Sequence, residues 1–268
     1  MDDRSDIAII IAVYNGAAVI NHCLQSIRMQ SLRPREVIVV DGNSSDGTQD
    51  LVRDNGDIVT TLISEPDGGI YDAWNKGIAK ASAEWVMFLG SDDILAQTDT
   101  LKSLASFAAR EASASALVYG QVEYVDSHGE LVERLGDEWS KLRNRMNFEM
   151  SLPHPGLLHR RSLFLTHGCF DTSYRIAGDY DLIRRIIKTG DPSFFPGVIV
   201  RAGVGGVSTR PGMILLSIRE AGRVIERSDG RRPLRWYWTL AKGSAKYALI
   251  RVLGPDSLAR IRRALKGA

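Results

Sequence analysis

The sequence predicts an α/β protein in which helices flank a mostly parallel central sheet, with a basic helical extension at the C-terminal end. Three observations lead to this prediction. Short apolar runs alternate with segments of helical periodicity through the first half of the 268 residues, as in repeated strand–helix units. Polar clusters follow the apolar runs. The last fifty residues have a basic excess that the rest of the chain lacks.

The first predicted strand is Asp6–Val13, whose unbroken apolar character is typical of a buried parallel strand. Apolar residues at helical spacing follow over Ile20–Ile27. The second strand, Glu36–Val40, ends on Asp41 and is followed by turn residues and a short helix. A third strand is predicted over Ile58–Ser64.

The same alternation continues toward the C-terminal end. Strand–helix units imply right-handed crossovers and a parallel sheet, in which ligands bind at the carboxyl ends of the strands. The remaining predicted elements are helices over Tyr71–Ser82, about Thr98–Arg110 and Ala177–Lys188, a buried strand over Trp85–Leu89, a hairpin of Leu117–Val125 with Glu130–Arg134, and a strand over Ser193–Arg201.

The composition is that of a soluble globular protein, with 44% hydrophobic and 25% charged residues. These values exclude disordered, collagen-like and coiled-coil classes. No run of 18 apolar residues occurs, so the sequence predicts no membrane span. Its acidic start and short first apolar run are not typical of a signal peptide. Two cysteines, Cys23 and Cys169, cannot form a disulfide framework, which predicts a reducing, cytosolic compartment.

Polar clusters follow four predicted strands, which would bring them to one edge of the sheet. Two adjacent carboxylates repel each other unless a cation lies beside them. The pair Asp92-Asp93, with Asp41 and Asp67 at neighbouring strand ends, therefore predicts binding of Mg²⁺ or Mn²⁺ with a diphosphate. The alternative is an N-terminal cap for a helix after Ile94. The four clusters are Tyr14-Asn15, Asp41, Glu65-Pro66-Asp67 and Asp92-Asp93.

Several nucleotide- and metal-binding classes are excluded by their missing motifs. Residues 41–48, DGNSSDGT, begin like an EF-hand loop, but Asp46 stands where the loop needs glycine and Val52 where it needs glutamate. The segment can also be an ordinary turn. No GxGxxG follows the first strand and no GxxxxGK[ST] occurs, which argues against dinucleotide oxidoreductases and P-loop NTPases.

Four phrases of the sequence together resemble glycosyltransferase family 2. The third, about thirty residues long, is specific and resembles the bacterial enzymes that build exopolysaccharide, capsule and lipopolysaccharide side chains. The resemblance is strong over residues 7–93, weaker to about 210 and generic beyond. The phrases are IAVYNG (Ile11–Gly16), VVDGNSSDGT (Val39–Thr48), SEPDGGIYDAWNKGIAKASAEWVMFLGSDD (Ser64–Asp93) and AGDYDLIRR (Ala177–Arg185).

The resemblance implies a GT-A fold, which is Rossmann-like, a nucleotide-sugar donor such as a UDP- or GDP-sugar, a divalent cation, and inversion at the anomeric carbon. It implies that Ala12 and Tyr14 line the nucleobase pocket, with Tyr14 stacking, and that Asp41 accepts a hydrogen bond from the base. Asp92 would contact the ribose or the metal's surroundings, and Asp93 would ligate the metal between the phosphates. We assign Asp67 to the same donor-binding set.

The resemblance also implies that Asp179 is the general base on the acceptor hydroxyl. Many family members have Glu-Asp where this chain has Gly178-Asp179. Many have arginine where this chain has Trp74, which makes Lys76 the candidate substitute for a diphosphate contact. Asp181 competes with Asp179, although residues two apart on a helix face different directions. The alternative for either acid is stabilisation of a helix N-terminus.

His154, in Leu-Pro-His-Pro-Gly, is either an acceptor contact or a structural histidine, and the sequence leaves both open. A zinc site with His159 is disfavoured because no Cys or acid at ligand spacing is near. The loop Gly205–Ser208 either closes over the donor or is a plain connection. Trp74 and Trp85 are predicted core residues.

Residues 219–268 hold thirteen basic and four acidic side chains, a net charge of +9 against −7 for the rest. Four apolar residues share one helix face: Ile214, Ile218, Ala221 and Ile225. The aromatic cluster Trp236-Tyr237-Trp238 lies beside arginines. Ser257 is predicted to begin a last basic amphipathic helix. Such helices are typical of binding to an anionic membrane surface. The alternative is that they pack on the catalytic domain. Nothing else in the chain supports nucleic-acid binding.

The sequence therefore predicts an inverting, metal-dependent glycosyltransferase that acts on a lipid-linked or growing glycan in cell-surface glycan biosynthesis. It would be cytoplasmic and peripheral at the inner face of the cell membrane. The predicted catalytic domain is 1–212, with a nucleotide-sugar half over about 1–110 and an acceptor half over about 111–212, and the tail is 213–268. The alternatives are a sugar nucleotidyltransferase, although the first strand lacks its glycine-rich basic loop, and an inactive nucleotide-binding or membrane scaffold module.

Overall fold

The computed structural model describes residues 4–111, 115–126, 128–204 and 211–253. Its strands are β1 (Arg4–Val13), β2 (Arg33–Asp41), β3 (Thr61–Ser64), β4 (Trp85–Gly90), β5 (Ile94–Leu95), β6 (Leu117–Val125), β7 (Leu131–Leu135), β8 (Leu158–Arg160) and β9 (Ser193–Gly203). Its helices are α1 (Ile20–Arg28), α2 (Thr48–Asp54), α3 (Ile70–Lys80), α4 (Thr100–Glu111), α5 (Trp139–Leu142), α6 (Ser162–His167), α7 (Gly178–Ile186), α8 (Pro211–Asp229) and α9 (Leu234–Leu253), with a 3₁₀ turn at Arg145–Asn147.

The strands form one mixed sheet in the order β3-β2-β1-β4-β8-β6-β9-β5, and β7 pairs with β6. The first four strands of this order are parallel to one another. β8 lies antiparallel between β4 and β6, and β9 is parallel to β6. β5 and β7 are antiparallel to their neighbours. The predicted α/β class with a mostly parallel sheet is confirmed.

The apolar run of β1 is continuous because both of its faces are covered. Ile9 and Ile11 lie in one hydrophobic cluster with α1, while Ala8 and Ile10 lie in a second cluster with α3. All four residues have no exposed surface. Burial on both faces therefore fixes β1 at the centre of the parallel strands.

Helix α3 approaches β1 closely at one glycine. A Cβ atom on Gly77 would lie 2.4 Å from Cγ2 of Ile10. Trp74, one turn earlier on the helix, is 7% exposed and packs against Phe88 of β4. Trp74 and Trp85 are buried, as predicted for core residues.

Two short strands, β5 and β8, were not predicted from the sequence. β8 has three residues and β5 has two, too few to show a periodicity. β3 begins at Thr61 rather than Ile58, because the amides of Ile58 and Val59 donate to the carbonyl of Asn55 in a turn. The predicted hairpin is present as β6 and β7.

The basic extension packs against the body of the protein over its described part. Val224 and Ile225 of α8 are buried in the same cluster as Tyr180 of α7. Trp236 is 2% exposed, and its indole N–H donates to the carbonyl of Ile218 at 3.1 Å. The aromatic cluster of residues 236–238 is therefore divided: Trp236 fills the space between α8 and α9, whereas Tyr237 and Trp238 are exposed. Membrane binding by this cluster stays a prediction.

Other predictions for the extension are untested. Loop Gly205–Ser208 and the helix predicted after Ser257 lie outside the described residues. A domain boundary at 212 stays a prediction. Within the described ranges, no helix combines the length and the apolar character needed to cross a bilayer.

Substituting alanine for Gly77 should destabilise the fold. The added Cβ would meet Ile10, whose strand is held on both sides, so we expect a loss of about 1–3 kcal/mol in the free energy of unfolding, larger than the gain in helix propensity of about 1 kcal/mol. Urea unfolding measures it. Gly190→Ala is the matched control, because a Cβ there meets nothing within 4 Å. Equal stability of the two variants would contradict the close approach.

Candidate active site

The carboxyl ends of β1, β2 and β3 place three polar segments side by side. A Cβ atom on Gly42 would lie 2.7 Å from Oδ2 of Asp67 and 3.3 Å from the ring of Tyr14. Gly42 therefore lies close to both side chains, and a larger residue there would displace the carboxylate of Asp67. Tyr14 is 68% exposed, so its ring is free to stack on a planar group. Ala12 lies in register between Val40 and Gly90.

Asp41 ends β2 with no exposed surface and is held by two serines. The Ser44 hydroxyl donates to Oδ1 of Asp41, and the Ser44 amide donates to both of its oxygens. The Ser64 hydroxyl donates to Oδ2 at 2.7 Å. These hydroxyls give the buried carboxylate the partners it requires. The sequence did not predict that either serine contacts Asp41.

The DGNSSDGT segment is also bound to the end of β1. The amide of Asn15 donates to the Ser44 hydroxyl at 2.7 Å, and the amide of Gly16 donates to the Thr48 hydroxyl at 2.9 Å. The side-chain oxygen of Asn15 accepts a hydrogen bond from the amide of Ser45 at 3.0 Å. The segment is thus a turn, as its composition also allowed, and it braces the loop that presents Tyr14.

The paired acids after β4 have unequal surroundings. Asp93 is 6% exposed and accepts a hydrogen bond from the amide of Gly90 at 2.7 Å, whereas Asp92 is exposed. Burial, together with the charge of Asp92, raises the pKa of Asp93 to about 7. The helix-cap alternative for this pair is wrong, because Ile94 begins β5 and the next helix begins at Thr100.

The Asp92-Asp93 pair fits a cation that takes its other ligands from water and phosphate. In the described ranges, no three His, Cys, Asp or Glu side chains gather as a metal site. The protein thus offers two carboxylates at one strand end, and a cation there would offset the charge that burial disfavours on Asp93. Mg²⁺ and Mn²⁺ are bound in this way through one or two carboxylates and substrate phosphates.

Asp179 lies in the first turn of α7, against α3. Its Oδ1 accepts hydrogen bonds from the Tyr180 amide at 2.8 Å and from the Tyr71 hydroxyl at 3.2 Å. Burial raises the pKa of Asp179 to about 6, although these hydrogen bonds act in the opposite direction. A carboxyl with this pKa is ionised at neutral pH and remains a usable proton acceptor.

Gly178 lies against the ring of Tyr71. A Cβ atom on Gly178 would lie 2.8 Å from that ring, so a larger side chain at this position would collide with it. The hydroxyl of the same tyrosine contacts Asp179. The sequence analysis placed Tyr71 on a helix and assigned it no role.

Asp181 faces away from Asp179, as helical spacing predicts. It is 5% exposed and its Oδ2 lies 3.0 Å from Nε of Arg185 in an ion pair. This arginine satisfies the carboxylate, and among the residues that the structure describes no basic side chain forms an ion pair with Asp179. The geometry therefore favours Asp179 over Asp181 as the proton acceptor.

Asp179 and the acids after β4 lie at the same edge of the sheet, because Asp179 contacts Tyr71 in the first turn of α3, the helix that follows β3. The hydroxyl of Tyr124, on β6, has its pKa raised to about 12 by burial and then by the negative charges of Asp93, Glu133 and Asp179. Both Asp93 and Asp179 therefore lie near this one hydroxyl. Like Tyr71, Tyr124 is a residue near Asp179 that the sequence did not indicate, because its strand carries no distinctive motif.

Two other predicted site residues have structural partners. Lys76 donates to the carbonyl of Pro66 at 2.9 Å and pairs with Glu65 and Asp72, so it holds the turn that contains Asp67. Its contact with a diphosphate stays a prediction. His154 is 6% exposed, stacks on Phe88 and packs at a tilted angle against Trp74. Burial lowers its pKa well below the usual range, which corresponds to the structural alternative.

The sequence also matches a known family over the part of the chain that contains most of these site residues. Residues 8–166 match the model of glycosyl transferase family 2. The chain belongs to this family. A glycosyltransferase of PGL/p-HBAD biosynthesis from Mycobacterium bovis (strain BCG / Pasteur 1173P2) is 35% identical over 179 residues. The match covers 65% of this chain and 66% of that protein, just under two thirds of the relative's length.

Solved structures of two glycosyltransferases have the same architecture. Staphylococcus aureus TarS 1–349 in complex with UDP-GlcNAc has a TM-score of 0.62 at 20% identity, covering 94% of this chain and 75% of that one. The mannosyltransferase PcManGT from Pyrobaculum calidifontis, in complex with GDP-Man and Mn²⁺, has a TM-score of 0.62 at 23% identity, covering 99% and 81%. At these identities the likeness shows the fold, which is the GT-A fold of a family 2 glycosyltransferase.

Proposed function

We propose that this glycosyltransferase is an inverting, metal-dependent enzyme that moves a sugar from a UDP- or GDP-sugar to a lipid-linked or growing glycan. The observation that supports this most directly is that two groups lie at one edge of the sheet. These are the paired acids after β4 and a single carboxyl, Asp179, whose pKa is about 6 and whose charge acts, together with that of Asp93, on Tyr124. An inverting transfer needs one base opposite the leaving group, and the metal takes the part of the acid.

The donor would bind across the ends of β1, β2 and β3. Tyr14 supplies an exposed ring for the base to stack on, and Ala12 lies two residues before it in β1. Asp41 is buried and held by Ser44 and Ser64, and its hydrogen bond with the base stays a prediction. Asp67, beside Gly42, completes this side. TarS with UDP-GlcNAc and PcManGT with GDP-Man are precedents for such donors within the fold.

Asp93, with Asp92, would hold Mn²⁺ or Mg²⁺. When bound, the cation supplies positive charge for the departing nucleoside diphosphate. Asp93 is held by the Gly90 amide, and exposed Asp92 is free to contact the ribose or the water around the metal. PcManGT was solved with Mn²⁺.

Asp179 would take the proton of the acceptor hydroxyl. Tyr71 and the Tyr180 amide both donate to Oδ1 of Asp179. These contacts fix the direction of the carboxyl and leave Oδ2 to receive the proton. Asp181, paired with Arg185, is the weaker candidate for an acceptor role.

The two rival functions make different demands on the same site. A nucleotidyltransferase needs a basic, glycine-rich loop after β1, where this chain has Tyr14-Asn15-Gly16. An inactive scaffold needs no base, yet Asp179 keeps a pKa of about 6. A screen of UDP- and GDP-sugars with Mn²⁺, read as donor hydrolysis and transfer, separates all three functions.

We also propose that α9 binds the inner face of the cell membrane, which would place the enzyme beside lipid-linked acceptors. Leu234 and Trp238 lie one turn apart and are 88% and 63% exposed. Lys242 lies 5.1 Å from the ring centre of Trp238, and Arg235 follows Leu234. Exposed apolar groups among basic ones fit an anionic lipid surface, where each basic residue contributes about 1 kcal/mol.

Replacing Asp93 by alanine should abolish metal-dependent nucleotide binding, because an anionic ligand is lost. Calorimetric titration of UDP and GDP, with Mn²⁺ and with EDTA, measures this. Asp99→Ala is the matched control, since it removes an exposed acid six residues away. Unchanged affinity and unchanged Mn²⁺ dependence in Asp93→Ala would show that the metal assignment is wrong.

Asp179→Asn should preserve donor binding and lower transfer by about 10²–10⁴-fold, because the side chain keeps its shape but cannot accept the proton. In the wild type, kcat/KM should rise with pH with a midpoint near 6, since the base is protonated below its pKa. Asp181→Asn is the control and should retain most activity. The opposite order of the two variants would assign the base to Asp181.

Substituting alanine for both Leu234 and Trp238 should reduce co-sedimentation with vesicles that contain anionic lipid, while leaving nucleotide binding intact. Wild-type binding should weaken as salt rises, because exposed charges are screened over about 10 Å at 0.1 M. Leu165→Ala, on α6, is the control because Leu165 is 83% exposed but lies outside the extension. If the wild type ignores such vesicles at low salt, the membrane proposal fails.

A further inference from the structure

Glu220 of α8 is a buried acid that no part of the proposed chemistry uses. It is 5% exposed, although it belongs to the basic extension. Its carboxylate accepts hydrogen bonds from three consecutive backbone amides, those of Arg175 at 3.0 and 3.1 Å, Ile176 at 2.8 Å and Ala177 at 3.0 Å. Through these hydrogen bonds, the Glu220 carboxylate binds one segment of the chain, residues 175–177.

These three amides lead directly into α7, which begins at Gly178. Backbone amides outside regular secondary structure need a hydrogen-bond partner from elsewhere. A carboxylate is a strong acceptor for them, since charge-assisted hydrogen bonds are about twice as strong as neutral ones. Glu220 thus holds the residues that precede α7 from another helix, more than forty residues along the chain.

Tyr71 holds the same segment from the opposite side. Its hydroxyl donates to the carbonyl of Ile176 and to Oδ1 of Asp179. The N–H of Ile176 is bound by Glu220 and its C=O by Tyr71, so this residue is fixed at both ends. Asp179 follows three residues later, within the turn that these contacts anchor.

We propose that Glu220 is a positioning residue for Asp179, so that the extension is part of the catalytic apparatus. Glu220 fixes the backbone of 175–177, and that backbone fixes where the carboxyl of Asp179 meets an acceptor hydroxyl. This inference rests on the proposed role of Asp179 as the base. A misplacement of about 1 Å at a reacting group can cost on the order of 10²-fold in rate.

The charge of Glu220 provides a second, independent signal. Burial is the main cause of the raised pKa of Asp179, and the negative charge of Glu220 adds to it. Within the described ranges, the ionisable groups facing Asp179 are Tyr71 from α3, Tyr124 from β6 and Glu220 from α8. Removing the charge at 220 should therefore lower the pKa of Asp179.

The test compares Glu220→Gln with Glu226→Gln in the full chain. Glu226 lies on the same helix, is paired with Arg232 and is 55% exposed at its side chain, so it controls for charge loss on α8. Glutamine keeps an acceptor oxygen but lacks the charge. We expect Glu220→Gln to lower kcat by about 10- to 100-fold, to leave the KM for the donor within about twofold, and to move the midpoint of the pH profile below 6.

Two further readouts separate positioning from simple structural support. Thermal unfolding and calorimetric binding of UDP and GDP report whether the fold and the donor site survive. Carbon NMR follows the titration of the Asp179 carboxyl, assigned by its loss in Asp179→Asn, and needs no activity. Unchanged kcat and an unchanged Asp179 titration in folded Glu220→Gln would overturn the proposal, as would equal losses of kcat and of donor affinity.

A failure of the proposed function is distinguishable from a failure of this inference. If wild-type protein transfers no sugar, or if Asp179→Asn retains transfer, the role of Asp179 as base is wrong whatever Glu220 does. If Asp179→Asn is inactive while Glu220→Gln equals Glu226→Gln, only the positioning role is wrong. If Glu220→Gln does not fold, Glu220→Asp keeps the charge but shortens the reach to the amides of 175–177, and unchanged kcat in that folded variant would also overturn the positioning role of Glu220.

Discussion

The burial of β1 on both faces is the constraint on which the rest of the structure depends. A strand covered by α1 on one side and α3 on the other can only lie inside a parallel sheet, between β2 and β4. Parallel neighbours end at the same edge, so Tyr14, Asp41 and the acids after β4 are brought together by strand direction alone. The close approach of Gly77 to Ile10 fixes the depth at which α3 lies.

Placing several acids at one edge of the sheet costs electrostatic free energy. The hydrogen bonds that offset this cost differ from one acid to the next. Asp41 is satisfied by two serine hydroxyls. Asp93 and Asp179 have fewer donors than charge and burial require, and their pKa values rise to about 7 and about 6. Incompletely satisfied carboxyls of this kind mark functional sites, because a ligand supplies the missing partner. A cation suits Asp93, and an acceptor hydroxyl suits Asp179.

The basic extension contributes to this arrangement from the far end of the chain. Its first helix buries Val224 and Ile225 against α7, and Glu220 holds the backbone before Asp179. Its second helix buries Trp236 but leaves Leu234 and Trp238 outside. The first helix therefore contacts the segment that leads into α7, and the second leaves an exposed apolar surface. The two proposals above would join membrane attachment and catalysis in a single folded unit.

The sequence by itself determined the α/β class, the order of the long elements and the strand-end acids, because apolar runs and helical periodicity are local signals. It also determined the family, through motifs that are contiguous in the chain. Only the tertiary structure decided the partners of those acids. Tyr124 and Glu220 belong to elements outside the family motifs, and nothing around them in the sequence marks them. Ser64 and Tyr71 lie within one of those motifs, but the motif does not indicate which acid each one contacts. The tertiary structure likewise decided that His154 and Trp236 are core residues, since burial depends on what packs against a side chain rather than on its type.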